Sequence, residues 1–119
     1  MAQANYDLTG DDEEFLRFVD ERVMNTSSSI SREHGMTYRL DNGTSEARMH
    51  VVTYERFSMT GGNRVSLHLS VLGLDGRMVV DLTSSGGSQA VLFKINTFGE
   101  EAFLGKAVEA VEEWQRRSR

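Results

Sequence analysis

The residues of this chain best equipped for chemistry are a histidine and two carboxylates: Glu55, His68 and Asp81. An imidazole titrates near neutrality, and a carboxylate beside it would tune it as an acid, a base or a metal ligand. Whether the three meet depends on strand register. If Gly61-Gly62 is a two-residue link, Tyr54 stands opposite Leu69, Val52 opposite Val71, and Glu55 opposite His68. If Leu74-Asp75 is the next link, Asp81 flanks His68 from the other side. Moving that link by one residue puts Thr83 there instead, or changes the face. No nucleophile lies beside the trio, and a surface histidine between carboxylates is common on a solvated sheet. That plainer reading is the favoured one. The other histidines add little, since His50 falls on the face opposite His68 and His34 lies on a strand the sequence does not place.

Two further patterns invite a chemical reading. Asp11-Asp12-Glu13-Glu14 puts four carboxylates in a row. Divalent-cation loops interleave their ligands around a sharp glycine turn, which this run lacks. It reads as the charged, solvated first turn of a helix, complementing the positive end of the helix dipole. Ser84-Ser85-Gly86-Gly87-Ser88 is the one phosphate-like loop. A phosphate loop precedes a helix N-terminus and carries a following lysine; this one joins two expected strands and has no such lysine. It reads as a wide hairpin, with a backbone nest for a ligand as the alternative. The chain has no cysteine, so thiolate and disulfide chemistry are excluded. No metal and no cofactor is expected.

The elements that must position these residues are organised around the stretch 78–114: strand, glycine-serine loop, strand, closing helix. Residues 1–8 read as a short extended or loose lead-in. A helix over about 11–25 comes next, capped by Thr9 or Asp11, with Phe15, Phe18, Val19 and Val23 on one face. From Ile30 the period changes to two. Five strands are expected, at about 30–40 (broken near Gly35), 46–57, 64–72, 77–83 and 89–95. Asn42-Gly43, Gly61-Gly62 and Asp75-Gly76 punctuate them as hairpin links, which makes an antiparallel meander. Val65, Leu67, Leu69 and Val71, with Met78, Val80 and Leu82, should face the helices. Thr97 with Glu100 forms a capping box for a last helix that carries Phe103, Leu104, Ala107, Val111 and Trp114 inward. The expected fold is α+β: a two-layer sandwich of a five-stranded antiparallel meander flanked by an N-terminal and a C-terminal helix, in the order αβββββα.

Composition bounds the rest. At 119 residues the chain is expected to be one domain, 1–119. Its net charge of −5 and pI near 5.1 argue against a nucleic-acid footprint. The basic end, Arg116-Arg117-Ser118-Arg119, reads as a solvated complement to the last helix. No apolar run approaches the ~20 residues of a membrane span, and residues 1–5 do not read as a secretory signal. A cytoplasmic protein without nucleic-acid or membrane partners is expected.

The open face of the sheet is less polar than a free face should be. Val51, Thr53, Phe57, Leu72 and Val79 fall on it, with Met59 near the rim. Either this face is an interface, with a homodimer as its simplest use, or the strand register differs from the one set by these two-residue links.

Several short motifs resemble a known family: Tyr54-Glu55-Arg56-Phe57, Gly62-Asn63-Arg64-Val65-Ser66-Leu67, Ser85-Gly86-Gly87-Ser88-Gln89 with Phe93-Lys94, and Gly99-Glu100-Glu101-Ala102-Phe103. Together they are similar to a family of small bacterial proteins, domain of unknown function 6054, over residues 51–114. In that family a tryptophan precedes the Gly-Glu-Glu segment, where this chain has Thr97-Phe98. The resemblance implies a small bacterial intracellular protein and transfers no activity. It directs attention to Glu55, Arg56, Asn63, Arg64, Gly86, Gly87 and Gln89, to which His68 and Asp81 are added as candidate ligand-binding positions. The leading reading is a non-enzymatic, self-associating domain that binds a small ligand or a protein segment. The alternatives are an acidic chaperone-like adaptor and an enzyme using Glu55, His68 and Asp81.

Overall fold

Alternation begins before the first helix, in the stretch expected to be a loose lead-in. Ala2, Ala4, Tyr6 and Leu8 are in phase, with Gln3, Asn5, Asp7 and Thr9 between them. That is the pattern of a half-buried strand, and these residues form β1 (Ala2–Thr9). The computed structural model describes residues 2–57, 64–86 and 93–117, with side chains in the last segment from residue 103 onward. After β1 come α1 (Asp12–Met24), β2 (Ile30–Asp41), β3 (Glu46–Phe57), β4 (Arg64–Leu74), β5 (Arg77–Gly86) and α2 (Phe93–Arg117).

The five strands make one antiparallel sheet in the order β1-β5-β4-β3-β2. β1 and β2 are therefore opposite edges. α1 crosses the covered face from one edge to the other, and the meander β2–β5 returns to meet β1. The α+β class, the single antiparallel sheet of five strands and the two helices agree with expectation. The element order is corrected to βαββββα. Among the described residues the fifth strand comes from residues 2–9, where the sequence suggests 89–95. Of the latter, 93–95 are the first residues of α2, and 89–92 lie outside the described residues. A short apolar run fits a strand or a buried helix equally well, and period alone does not arbitrate. The longer helix also places Thr97 and Glu100 inside α2, so Thr97 is not its cap.

Within α1, Asp11 is the N-cap, and its carboxylate accepts from the Glu14 N–H at 2.9 Å. Phe15, Val19 and Val23 are buried against the sheet. The expected inward set on β4 and β5, from Val65 to Leu82, is buried throughout. α2 packs on β1, β5 and β4, while α1 packs on α2 and makes lighter contact with β4 and β2. Trp114 joins the helices, with its ring edge-on to Phe15 at 5.3 Å between centroids and tilted against Phe18 at 5.6 Å. Arg117 at the basic end lies over the Phe18 ring at 5.1 Å.

Register is where expectation and structure part. Val52 pairs with Leu69 and Tyr54 with Leu67, two residues from the pairing expected across Gly61-Gly62. Those glycines lie outside the described residues. A shift of two keeps every side chain on its face, so the core assignment survives while the partners change. Between β4 and β5 the link is Asp75-Gly76, not Leu74-Asp75, with φ of 51° and 79°. Two successive positive φ values make the type I′ turn that matches strand twist, and glycine takes its second position without strain. Between β2 and β3 the link has four residues, closed by the pair Asp41–Glu46. The Asn42 side chain accepts from the Thr44 and Ser45 N–H groups within it.

Candidate functional site

The acidic first turn of α1 is not uniformly solvated. Asp12 is 4% exposed and points down onto the sheet, where His50 (2% exposed) rises from β3. His50 Nε2 lies 2.6 Å from Asp12 Oδ2, and His50 Nδ1 lies 2.8 Å from Thr37 Oγ1 on β2. Arg48 donates to the other Asp12 oxygen at 2.5 Å and also approaches Glu13 at 3.5 Å. The carboxylate only accepts, so Nε2–H donates to it. In the neutral imidazole, Nδ1 then accepts from the Thr37 hydroxyl. Burial pushes the Asp12 carboxyl up; hydrogen bonds from His50, Arg48 and its own backbone, with the Arg48 charge, outweigh it and hold the group below its ordinary value. Gly73 makes this approach possible. A Cβ there would lie 2.7 Å from Asp12 Cβ, so only glycine lets the start of α1 settle on β4.

A second polar contact lies two turns along α1. Asp20 accepts from the buried Tyr54 hydroxyl at 2.6 Å and from Arg32 Nε at 2.9 Å, with a further Arg32 nitrogen on its other oxygen. Burial first, then the hydrogen bond to Asp20 and the Asp20 charge, push the Tyr54 phenol far above its ordinary value. It remains a donor at any physiological pH. Between these two contacts α1 and β2 diverge, leaving a cleft of about 570 Å³. Sequence reasoning missed this cluster. A signal existed: His50 is in phase with Val52 and Tyr54 on β3, and a polar group on an apolar face needs a buried partner.

The open face resolves into cross-strand rows. His34, Thr53, His68, Thr83 and Gln3 form one; Met36, Val51, Ser70, Asp81 and Asn5 the next; Tyr38, Met49, Leu72, Val79 and Asp7 the third. Glu55, His68 and Asp81 thus share a face but stand in three different rows. His68 is flanked by Thr53, whose hydroxyl is 3.1 Å from Nδ1, and by Thr83. Glu55 stands opposite Ser66 and pairs with Arg64 at 3.2 Å. The Gln3 amide, opposed by burial and helped by Thr83 and Asn5, holds the Asp81 carboxyl below its ordinary value. Arg56 is on the helix-facing side between Ile30 and Val65, and Gly86 pairs with Val65. Asn63, Gly87 and Gln89 lie outside the described residues, as does Met59. Among the described residues no three histidine or acidic groups converge as a metal site.

Val51, Thr53, Phe57, Leu72 and Val79 all point to the open face, Phe57 at its far end from Leu72. The third row is apolar across four strands: Tyr38 is 54% exposed, Met49 40%, Leu72 43% and Val79 54%. Leu40 and Leu74 extend it toward the β2–β3 and β4–β5 turns. One half of the open face is therefore apolar and the other carries the serines, threonines and histidines.

No helix among the described residues is long and apolar enough to cross a membrane. No curated protein and no solved structure matches the chain. The chain does match a family of unknown function, DUF6054, over residues 1–115, which reaches well upstream of the motifs at 51–114 and takes in β1, α1 and β2. It belongs to that family.

Proposed function

We propose that this DUF6054 member is a single-domain, non-enzymatic cytoplasmic binding module that self-associates through the apolar half of its open sheet face. One observation carries the reading: the unbroken row Tyr38–Met49–Leu72–Val79 at positions that should be polar if the face met only water. Together with Met36, Leu40 and Leu74 these side chains expose on the order of several hundred Å², approaching the ~800 Å² per partner of a standard interface. A second copy is the occupant that fits. A flat sheet face is self-complementary about a two-fold axis, and the row is bounded by the Asp7–Arg77 ion pair, whose two charges suit the rim of such an interface. The net charge of −5 argues against nucleic acid as a partner.

Light scattering over a hundredfold range of concentration tests this. A dimer mass is expected for the native chain, and a monomer mass for Leu72→Glu and Val79→Glu. Both positions are half exposed, so the monomer should tolerate the change. A native monomer at every concentration, or a dimer that persists in both variants, would overturn the reading. Co-purification of a different protein that is lost in the same variants would favour the adaptor alternative.

A further inference from the structure

The cleft between α1 and β2 lies on the helix-bearing side of the sheet and reaches the β2 edge at Met36, the one lining residue that the self-association reading also uses. Its shape comes from the sequence. α1 presents Glu13, Leu16, Arg17 and Asp20 toward β2, at spacings of three, one and three, a second stripe beside the core stripe of Phe15, Val19 and Val23. Facing it, β2 contributes Gly35 and Thr37, and β3 contributes His50 and Val52. Gly35 has ordinary negative φ, and a Cβ added there would meet only the Arg32 side chain at 3.8 Å. The missing side chain is thus what leaves the space open.

The cleft is closed at both ends by ion pairs that span from α1 to the strands. Arg32 holds Asp20 at one end. At the other, Glu13 is shared by Arg39 at 3.8 Å and Arg48 at 3.5 Å. Both carboxylates of the stripe are therefore neutralised by strand arginines. Arg17, midway between them, pairs with no carboxylate among the described residues. Leu16 and Val52 supply apolar wall beside it, and the Thr37 hydrogen is committed to His50. From Glu13 to Asp20 the helix runs seven residues, ~10 Å.

We infer that this cleft binds a small monoanionic amphiphile, with a carboxylate forked on Arg17 and a short hydrocarbon body lying along Leu16 and Val52. The unpaired guanidinium offers the planar pair of donors a carboxylate accepts. With Glu13 and Asp20 already paired, the cleft offers one unpaired cation, which a single negative charge matches. A volume of about 570 Å³ falls within the range of small-molecule clefts.

The test is a titration of isotope-labelled protein with sodium octanoate, monitored by amide NMR, with 1-octanol as the uncharged control. Saturable shifts at Gly35, Thr37 and His50 are expected, with weaker binding of octanol. Arg17→Gln should weaken octanoate about tenfold and leave octanol unchanged; the residue is exposed, so the fold is not at stake. Gly35→Leu fills the space and should abolish both. Shifts that do not saturate, that map to Leu72 and Val79, or that are insensitive to both substitutions would overturn the assignment. Because the light-scattering test reads the other face, either proposal can fail alone.

Discussion

Asp12 carries the largest consequence of any single residue. It sits in the first turn of α1, yet it is buried on His50 and Arg48, so it ties that helix to β3 and, through His50 and Thr37, to β2. Breaking a buried pair leaves the remaining partners desolvated, at about 3–5 kcal/mol. Asp12→Asn should lower urea stability at pH 7 by about that much. The pH dependence has a definite sign. The folded carboxyl is held below its ordinary value, so its contribution is fully present above the unfolded value of about 3.9 and is lost as pH falls through the lower folded one. Urea midpoints taken from pH 6 downward should fall for the native chain below about pH 4, and less steeply for Asp12→Asn. Equal slopes in the two proteins would remove Asp12 from the account. Residue identity alone did not reveal this. Four adjacent acids look alike in a sequence, and only the helix phase together with the gap left by Gly73 selects the one that turns inward.

At the scale of elements, β1 matters most. It supplies the fifth strand and pairs with β5 from Ala2–Ser84 to Thr9–Arg77. Leu8 is buried beneath α2, while Asp7 on the same strand is exposed with its carboxylate on Arg77 at 3.3 Å. Leu8→Ala should destabilise by roughly 2–5 kcal/mol, as cavity-forming core truncations do. Asp7→Ala should change stability by less than ~1 kcal/mol, because an exposed ion pair contributes little. Denaturant unfolding of the two variants checks the contrast; similar losses would mean that β1 is not held by its inward face. The strand was legible in the alternation of Ala2, Ala4, Tyr6 and Leu8. Polar residues at a chain start suggest a loose lead-in, and that suggestion masked it. At 93–95 the opposite holds, since residues expected to be strand begin α2. A dense apolar run fits both a strand and a helix, and the long helical stretch C-terminal to it decides between them.

For the whole molecule, one uneven feature organises the rest. The helices cover β1, β5 and β4 well and β2 poorly, so the β2 edge is exposed on both sides, with the cleft beneath it and apolar side chains above. If the apolar half binds a second copy, folding and association are linked, and stability rises with protein concentration. The thermal midpoint of the native chain should climb over a hundredfold increase in concentration, and that of Leu72→Glu should stay fixed. A midpoint independent of concentration in the native chain would argue for a monomer that leaves the face uncovered.

What the sequence determined by itself is what periodicity can carry: an α+β class, the strands at about 46–57, 64–72 and 77–83, the inward and outward phase of each, and a capped first helix. A period of two fixes the face of a strand residue, and a shift of two in register leaves that face unchanged. What only the tertiary structure decided is who stands beside whom. Turn length moved Glu55, His68 and Asp81 into separate rows, and helix packing brought Asp12 to His50 across 38 positions of chain. Neighbour relations of that kind depend on the length of each link and the close approach of each helix, and neither is written in the period of the strands.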